Sequence, residues 1–294
     1  MKNPIDLRRL RCFVAVAEEQ HFGRAAARLG MAQPPLTQQI QKLERELGFL
    51  LLHRVPRRTT LTDAGRVLLD SARRILRDVD TAIEETRRAG RGEIGRIVIG
   101  APSSVMLAGL PTALGRFRER HPGVSLVVQE LCSTDVMSQL AEARLDVGFF
   151  RAVEMVGTAK AEVLVRERVV AVLPKSHQLA ARRHFSLKDL AGELFVLFPR
   201  HLGEKFYDEL VGFCMDAGFA PTVVHYATEW PGVLATVETG LGVSIAPACV
   251  ERIRLPGVIY RPLRGLRTNI SVFAPEERRS PAVTAFLGAL RNGL

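Results

Sequence analysis

Gln33, Thr37, Gln38, Gln41, Lys42 and Arg45 recur along one face of a segment whose other face carries Leu36, Ile40, Leu43 and Leu47. The apolar set falls at i, i+4, i+7 and i+11, which is a helical stripe. A long side-chain amide can bond an adenine edge through two hydrogen bonds, and cations and hydroxyls suit phosphate oxygens. The chemistry this face offers is recognition of a polyanion rather than bond-making. A plain two-helix corner with a solvated polar face would show the same pattern, so the surrounding elements decide between the two.

Other residues that could do chemistry are scattered. The seven histidines, at 21, 53, 121, 177, 184, 201 and 225, show no metal-ligand spacing. No G-x-S-x-G elbow, Walker A loop or H-E-x-x-H is present, and the chain reads as a non-enzyme without metal or cofactor. Cys12, Cys132, Cys214 and Cys249 lie far apart with no C-x-x-C pair, as expected of buried thiols in a reducing compartment. Gly90–Gly95 matches G-x-G-x-x-G. A dinucleotide loop needs a strand before it and a helix after it, and here the order is reversed, so the segment reads as a hinge.

The elements that must position the polar face come first in the chain. Asp6 to Ala17 predicts a helix with Asp6 as N-cap and Leu7, Leu10, Phe13, Val14 and Ala17 inward. Phe22 to Leu29 predicts a second, ended by Gly30 in a left-handed conformation. Pro34 and Pro35 then open the polar-faced helix, where a missing N–H costs little. Helix, glycine turn and helix make a helix-turn-helix. Leu50–His53 and Thr59–Thr62 predict two short strands around Pro56-Arg57-Arg58, a basic wing able to reach phosphates or a narrow minor groove. A solvated basic loop is the alternative.

From Asp63 to about Ala89 one long helix is predicted, capped by Thr62. Leu68/Leu69, Ala72, Ile75/Leu76, Val79, Ile83 and Thr86 follow a spacing near 3.5, a coiled-coil seam. No second helix of matching length is present to cover it within the chain, which favours a dimer holding two DNA-binding heads.

Charge supports this reading. The net charge is +10 over 294 residues, and residues 1–60 hold eleven cations against five acids. A basic domain on a nearly balanced remainder marks a polyanion binder, although a membrane surface or RNA would fit charge alone equally well. No apolar run approaches the ~20 residues of a bilayer span and MKNPIDLRRLRCF lacks a signal-peptide core, which predicts a cytoplasmic protein.

After Arg96, short strands alternate with helices, which predicts a mostly parallel sheet covered on both faces. Two such halves, joined by extended crossings near Val165–Arg168 and Leu266–Thr268, predict a two-lobed clamp with a ligand crevice between the lobes.

This order of parts resembles the LysR-type transcriptional regulators along the whole chain. LRRLRCFVAVAEEQHFGRAAARLGMAQPPLTQQIQKLERELG resembles the family's winged helix-turn-helix, and LLLHRVPRRTTLTDAG its wing and linker-helix entry. DVGF, LFPR and TGLGVSIAP resemble its effector-domain signatures. The resemblance implies an α+β multidomain chain. A winged helix-turn-helix spans 1–62 and a dimerisation helix 63–90. A type 2 periplasmic-binding-protein-like effector domain spans 91–294, with lobe I about 96–165 and 269–294 and lobe II about 166–268. It implies a homodimer, commonly a dimer of dimers, on promoter DNA with RNA polymerase as a further partner. LFPR and the cleft residues resemble most the branch controlling aromatic-compound catabolism, whose members sense muconate-like dicarboxylates. A redox-responsive member is the alternative, and an α/β enzyme a more remote one. By the same resemblance Gln33, Pro34, Pro35, Thr37 and Gln38 face bases, with Arg54 and Arg57 or Arg58 as wing cations; Gln41 joins the DNA-binding set from its place on the same polar face. Ser103 or Ser104, Ser133, Thr134, Arg151, Pro199, Arg200, Phe206 and Trp230 contact a carboxylate inducer. The family pattern has Ser at Ala32 and Arg at Gln38. This chain therefore lacks an N-cap worth ~1 kcal/mol, and Gln38 favours adenine where Arg would favour guanine.

Overall fold

The computed structural model describes residues 6–55, 58–182 and 186–292. The chain divides into two compact units, Met1–Arg87 and Arg88–Leu294.

In the first unit, α1 (Leu7–Glu19) starts where the Asp6 carboxylate accepts the Arg9 N–H. Its inner face, Leu10, Phe13, Val14 and Ala17 among others, closes on Ala25 and Ala26 of α2 (Phe22–Arg28) and on Leu36, Ile40 and Leu43 of α3 (Gln33–Leu47). Leu7, expected inward, is largely exposed at the outer end of that stripe. The turn between α2 and α3 uses Gly30 at φ 63°, a left-handed conformation that glycine adopts without a Cβ penalty. Ala32 is the N-cap of α3 and supplies no side-chain bond.

β1 (Leu52–Val55) and β2 (Arg58–Leu61) pair antiparallel, with Arg54 opposite Thr59. Three hydrogen bonds fasten this wing. Thr59 N–H donates to the Gln20 carbonyl at 3.0 Å. The buried Glu44 carboxylate accepts from the N–H groups of Leu51 (2.9 Å) and Leu52 (3.2 Å). Glu44 continues the i, i+4 row of Leu36 and Ile40, so an acid on an apolar stripe was the sequence's signal of this tie. Thr62 caps α4 (Asp63–Gly90): its hydroxyl accepts the Gly65 N–H at 2.9 Å and donates to the Leu50 carbonyl at 2.8 Å. Gly65 lies so close to the Leu51 carbonyl that a Cβ there would overlap it. Along α4 Leu69 and Ala72 are buried in this unit, whereas Ile75, Ile83 and Thr86 are exposed.

In the second unit, the G-x-G-x-x-G segment follows a helix and leads into β3 (Ile94–Ala101), an order that excludes a dinucleotide loop. Gly92, at φ 70°, abuts the Pro281 backbone, so this stretch is packed in place. β3, α5 (Ser103–Leu107), α6 (Leu110–Arg120), β4 (Gly123–Glu130), α7 (Ser133–Ala141) and β5 (Val147–Arg151) form the first lobe with α10 (Pro281–Arg291). After a hairpin of β6 (Met155–Val156) and β7 (Ala159–Lys160), the long β8 (Glu162–Pro174) leaves for the second lobe. That lobe holds β9 (Leu194–Leu197), α8 (Glu204–Asp216), β10 (Thr222–Tyr226), α9 (Trp230–Glu238) and β11 (Ser244–Pro247). β12 (Val258–Phe273) then returns.

The sheet corrects the expectation of mostly parallel strands. Its six strands run β11-β8-β12-β5-β3-β4, and only the pairings of β3 with β4 and β5 are parallel; β9 and β10 form a separate parallel pair. β8 and β12 are antiparallel to each other because one carries the chain out of the first lobe and the other brings it back. β12 runs unbroken from one lobe to the other and changes register between Pro262 and Arg267. Each lobe has its own core. Phe117, Phe149 and Phe286 fill the first; Phe195, Leu210, Leu234 and Val250 fill the second.

Candidate functional site

The α3 face away from the core presents Gln33, Pro34, Pro35, Gln38, Gln41, Lys42 and Arg45, all exposed, with Thr37 half-buried beside them. The Thr37 hydroxyl donates to the Gln33 carbonyl at 3.1 Å, leaving its lone pairs as acceptors. His21, which sequence reasoning passed over, caps α2: its Nδ1 accepts from the N–H groups of Gly23 and Arg24. Arg54 and Arg58 are backbone partners of the wing strands, and Arg57 lies outside the described residues.

In the second unit the structure gathers Ser103, Ser104, Ser133, Arg151, Phe206 and Trp230 around one cavity of about 60 Å³ between the lobes. Thr134, Pro199 and Arg200 do not line it. The Thr134 hydroxyl instead donates to the His201 carbonyl at 2.6 Å, a bond joining the lobes at the rim. Arg200 pairs outward with Asp208 at 2.7 and 2.8 Å and with Glu204 at 3.4 Å; these carboxylates hold its guanidinium even more firmly protonated than usual. Pro199 begins the short turn Arg200–Leu202. Neither His201 nor His225 lines the cavity.

Arg151 is 1% exposed, and every nitrogen of its guanidinium is engaged. Nε donates to the Ser104 hydroxyl (3.0 Å), Nη2 to the Ser104 carbonyl (2.7 Å) and Cys249 Sγ (3.0 Å), and Nη1 to the Glu167 carboxylate (2.5 Å). It is a peg between the lobes, with little left to offer a ligand. Ser104 is correspondingly buried, whereas the Ser103 hydroxyl donates across the cleft to Glu229 at 2.6 Å.

Sequence reasoning missed Glu229, Phe198 and Gly203 on the cavity wall. Phe198 stacks on Phe206 (centroids 5.3 Å) and meets Trp230 edge-on (6.2 Å), making an apolar floor. Glu229 and Gly203 are the N-cap residues of α9 and α8, and Cys132 on the same wall is that of α7. The first turns of α7, α8 and α9, together with that of α5, therefore meet at this cavity. None has a side-chain cap, whereas α1, α2 and α10 are capped by Asp6, His21 and Ser280. Uncapped helix N-termini present N–H donors and positive dipole ends to an anion.

Burial raises the pKa of all four thiols, Cys214 to about 11 and Cys249 to about 12. The thiolate is the reactive form, so this removes support from the redox alternative.

The family model described as bacterial regulatory helix-turn-helix protein, lysR family, matches residues 7–66, and that of the LysR substrate binding domain matches residues 90–294. The chain belongs to the LysR family. Among LysR-family relatives, an uncharacterized regulator, YnfL of Escherichia coli, is 37% identical over 99% of both chains. AlsR of Bacillus subtilis is 32% identical over 96% of this chain and 94% of its own. Full-length CbnR, solved in complex with its target DNA, superposes with a TM-score of 0.84 at 29% identity over 98% of this chain and 99% of that one. Full-length BenM gives 0.61 at 31% identity over 98% and 96%. The chain is thus a LysR-type, DNA-binding transcriptional regulator with an effector-binding domain, and not an enzyme. Among the described residues no helix is long and apolar enough to cross a membrane.

Proposed function

We propose that this regulator reads its promoter with Gln33, Pro34, Pro35, Thr37, Gln38 and Gln41, holds phosphates with Arg54, Arg57 and Arg58, and answers to a small carboxylate in the interlobe cavity. The observation that carries the effector reading is the meeting of uncapped helix N-termini at a cavity that also holds the Ser133 and Ser103 hydroxyls. Donors of that kind suit a carboxylate, and the Phe198–Phe206–Trp230 floor suits a short apolar tail. The cavity is far below the ~300 Å³ at which sites for drug-sized ligands begin. In this closed form it seats an acid of a few heavy atoms. A muconate-like or aromatic acid requires the Ser103–Glu229 and Thr134–His201 bonds to part. The Glu229 carboxylate on the wall favours a monoanion over a dianion. The exposed Ile75 and Ile83 on α4 support pairing of two chains through that helix.

Two measurements test the reading. Promoter DNA from upstream of the gene should shift with an affinity that falls steeply with salt; equal affinity for random DNA would sink the DNA half. In a thermal-shift series over acetate, lactate, benzoate, cis,cis-muconate and the uncharged acetamide and benzamide, a short monocarboxylate should raise the melting temperature and Ser133→Ala should abolish the rise. A response confined to uncharged analogues would sink the carboxylate half.

A further inference from the structure

An open groove of about 800 Å³ lies where the crossover strands leave the first lobe. Arg166 and Arg168 of β8, Arg267 of β12, and Arg252 and Arg254 around the turn Ala248–Ile253 line it. Two carboxylates share the wall, Glu251 and Glu167, and Glu167 is already bonded to Arg151 and to the Cys249 N–H. Arg252 donates to the Leu107 carbonyl at 2.7 Å. The guanidinium groups of Arg166, Arg168, Arg254 and Arg267 have no hydrogen bond or ion pair among the described residues. Arg267 sits directly opposite Arg168 in the β8–β12 register. Like charges placed so are destabilising, and nothing in the packing of these strands calls for them.

We propose that this groove binds a small organic polyphosphate of nucleotide size. Guanidinium forks meet phosphate oxygens through paired, charge-assisted bonds. Five cations around two acids, one of them already neutralised, match a compact ligand carrying three or four negative charges better than a single carboxylate. The volume lies within the range of ~300–1,000 Å³ for small-molecule sites. Glu167 gives the site a route inward, because it both forms the groove wall and holds Arg151, which lines the interlobe cavity. A polyanion beside Glu167 changes the balance of that pair, so groove and cavity are coupled in both directions. The coupling rests on the carboxylate reading of the cavity; the binding site does not.

The test is calorimetric titration of the full chain with inorganic tripolyphosphate, ADP and orthophosphate at low salt. Tripolyphosphate and ADP should saturate one site per chain, about tenfold or more tighter than orthophosphate. The R168Q/R267Q variant should weaken both by about tenfold or more, while R168K/R267K, which keeps the charges but loses the paired forks, should bind between that variant and the parent. The K42Q/R45Q variant, altered on the exposed α3 face, should bind as the parent does. Absence of saturable binding, or binding that survives in R168Q/R267Q and disappears in K42Q/R45Q, overturns the site. If ADP binds but leaves the carboxylate-induced melting shift unchanged, the coupling alone fails.

Discussion

Replacing Arg151 by methionine separates two roles the residue could play. As a ligand contact its loss would cost effector response and little stability. The structure makes it a buried peg, with bonds to Ser104, Cys249 and Glu167 and 1% exposure. Removing one partner of a buried ion pair typically costs ~3–5 kcal/mol, because the remaining charge is left uncompensated. Glu167 keeps 14% of its side chain in solvent and the Cys249 N–H bond, and the Ser104 carbonyl keeps Cys249 Sγ as a donor, so the low end applies, about 3 kcal/mol. With a urea m-value of roughly 2–3 kcal/mol/M, the midpoint should fall by about 1–1.5 M. Trp230, the chain's one tryptophan, is buried in the second lobe and reports the transition by fluorescence. In a double-mutant cycle, R151M/E167L should be far less destabilised than the sum of its single variants. An R151M protein that unfolds within about 0.5 kcal/mol of the parent yet loses effector response would refute the peg and restore Arg151 as a ligand contact.

Four further outcomes are expected. Ala32→Ser should cap α3 and raise the stability of the first unit by about 1 kcal/mol in thermal unfolding, since Ala32 already has extended N-cap geometry without a side-chain bond. Gln38→Arg should move the preferred half-site base from adenine toward guanine in a binding selection; an unchanged consensus would remove Gln38 from the base-reading set. Burial raises the Glu209 carboxyl, against the Thr268 hydroxyl bond and Arg151, so its contribution is full below about pH 4.5 and is lost as pH rises through the raised value. The stability difference between Glu209→Gln and the parent should therefore grow in favour of the variant as pH rises above about 4.5 and level off once the raised carboxyl is ionised, in melts compared across a pH series. Cys214 and Cys249, with thiols raised to about 11 and about 12, should resist alkylation at neutral pH in the native protein, and peroxide should leave promoter binding unchanged.

The local elements were legible in the sequence because each rests on a short-range rule. The Leu36–Ile40–Leu43 stripe, the Asp6 and Thr62 caps, the Gly30 turn and the near-3.5 spacing of α4 are set by residues within a few positions of one another. Order also told correctly that G-x-G-x-x-G here is no nucleotide loop. Recognition of the family rested on the succession of such pieces.

What only the tertiary structure decided concerns residues brought together from far apart. Arg151, Glu167 and Cys249 are spread over 98 positions yet form one hydrogen-bonded lock, so an arginine that resembled a ligand contact is spent on holding the lobes. Thr134 and Arg200 turned to the His201 carbonyl and Asp208, partners that no local spacing marks. The antiparallel β8–β12 crossing follows from the chain's need to leave a lobe and return, a property of the path and not of any segment. The helix starts that meet at the cavity, and the arginines that meet in the groove, are likewise products of that path. Sequence determined which faces are apolar and where helices begin; the return of the chain determined which polar ends face each other.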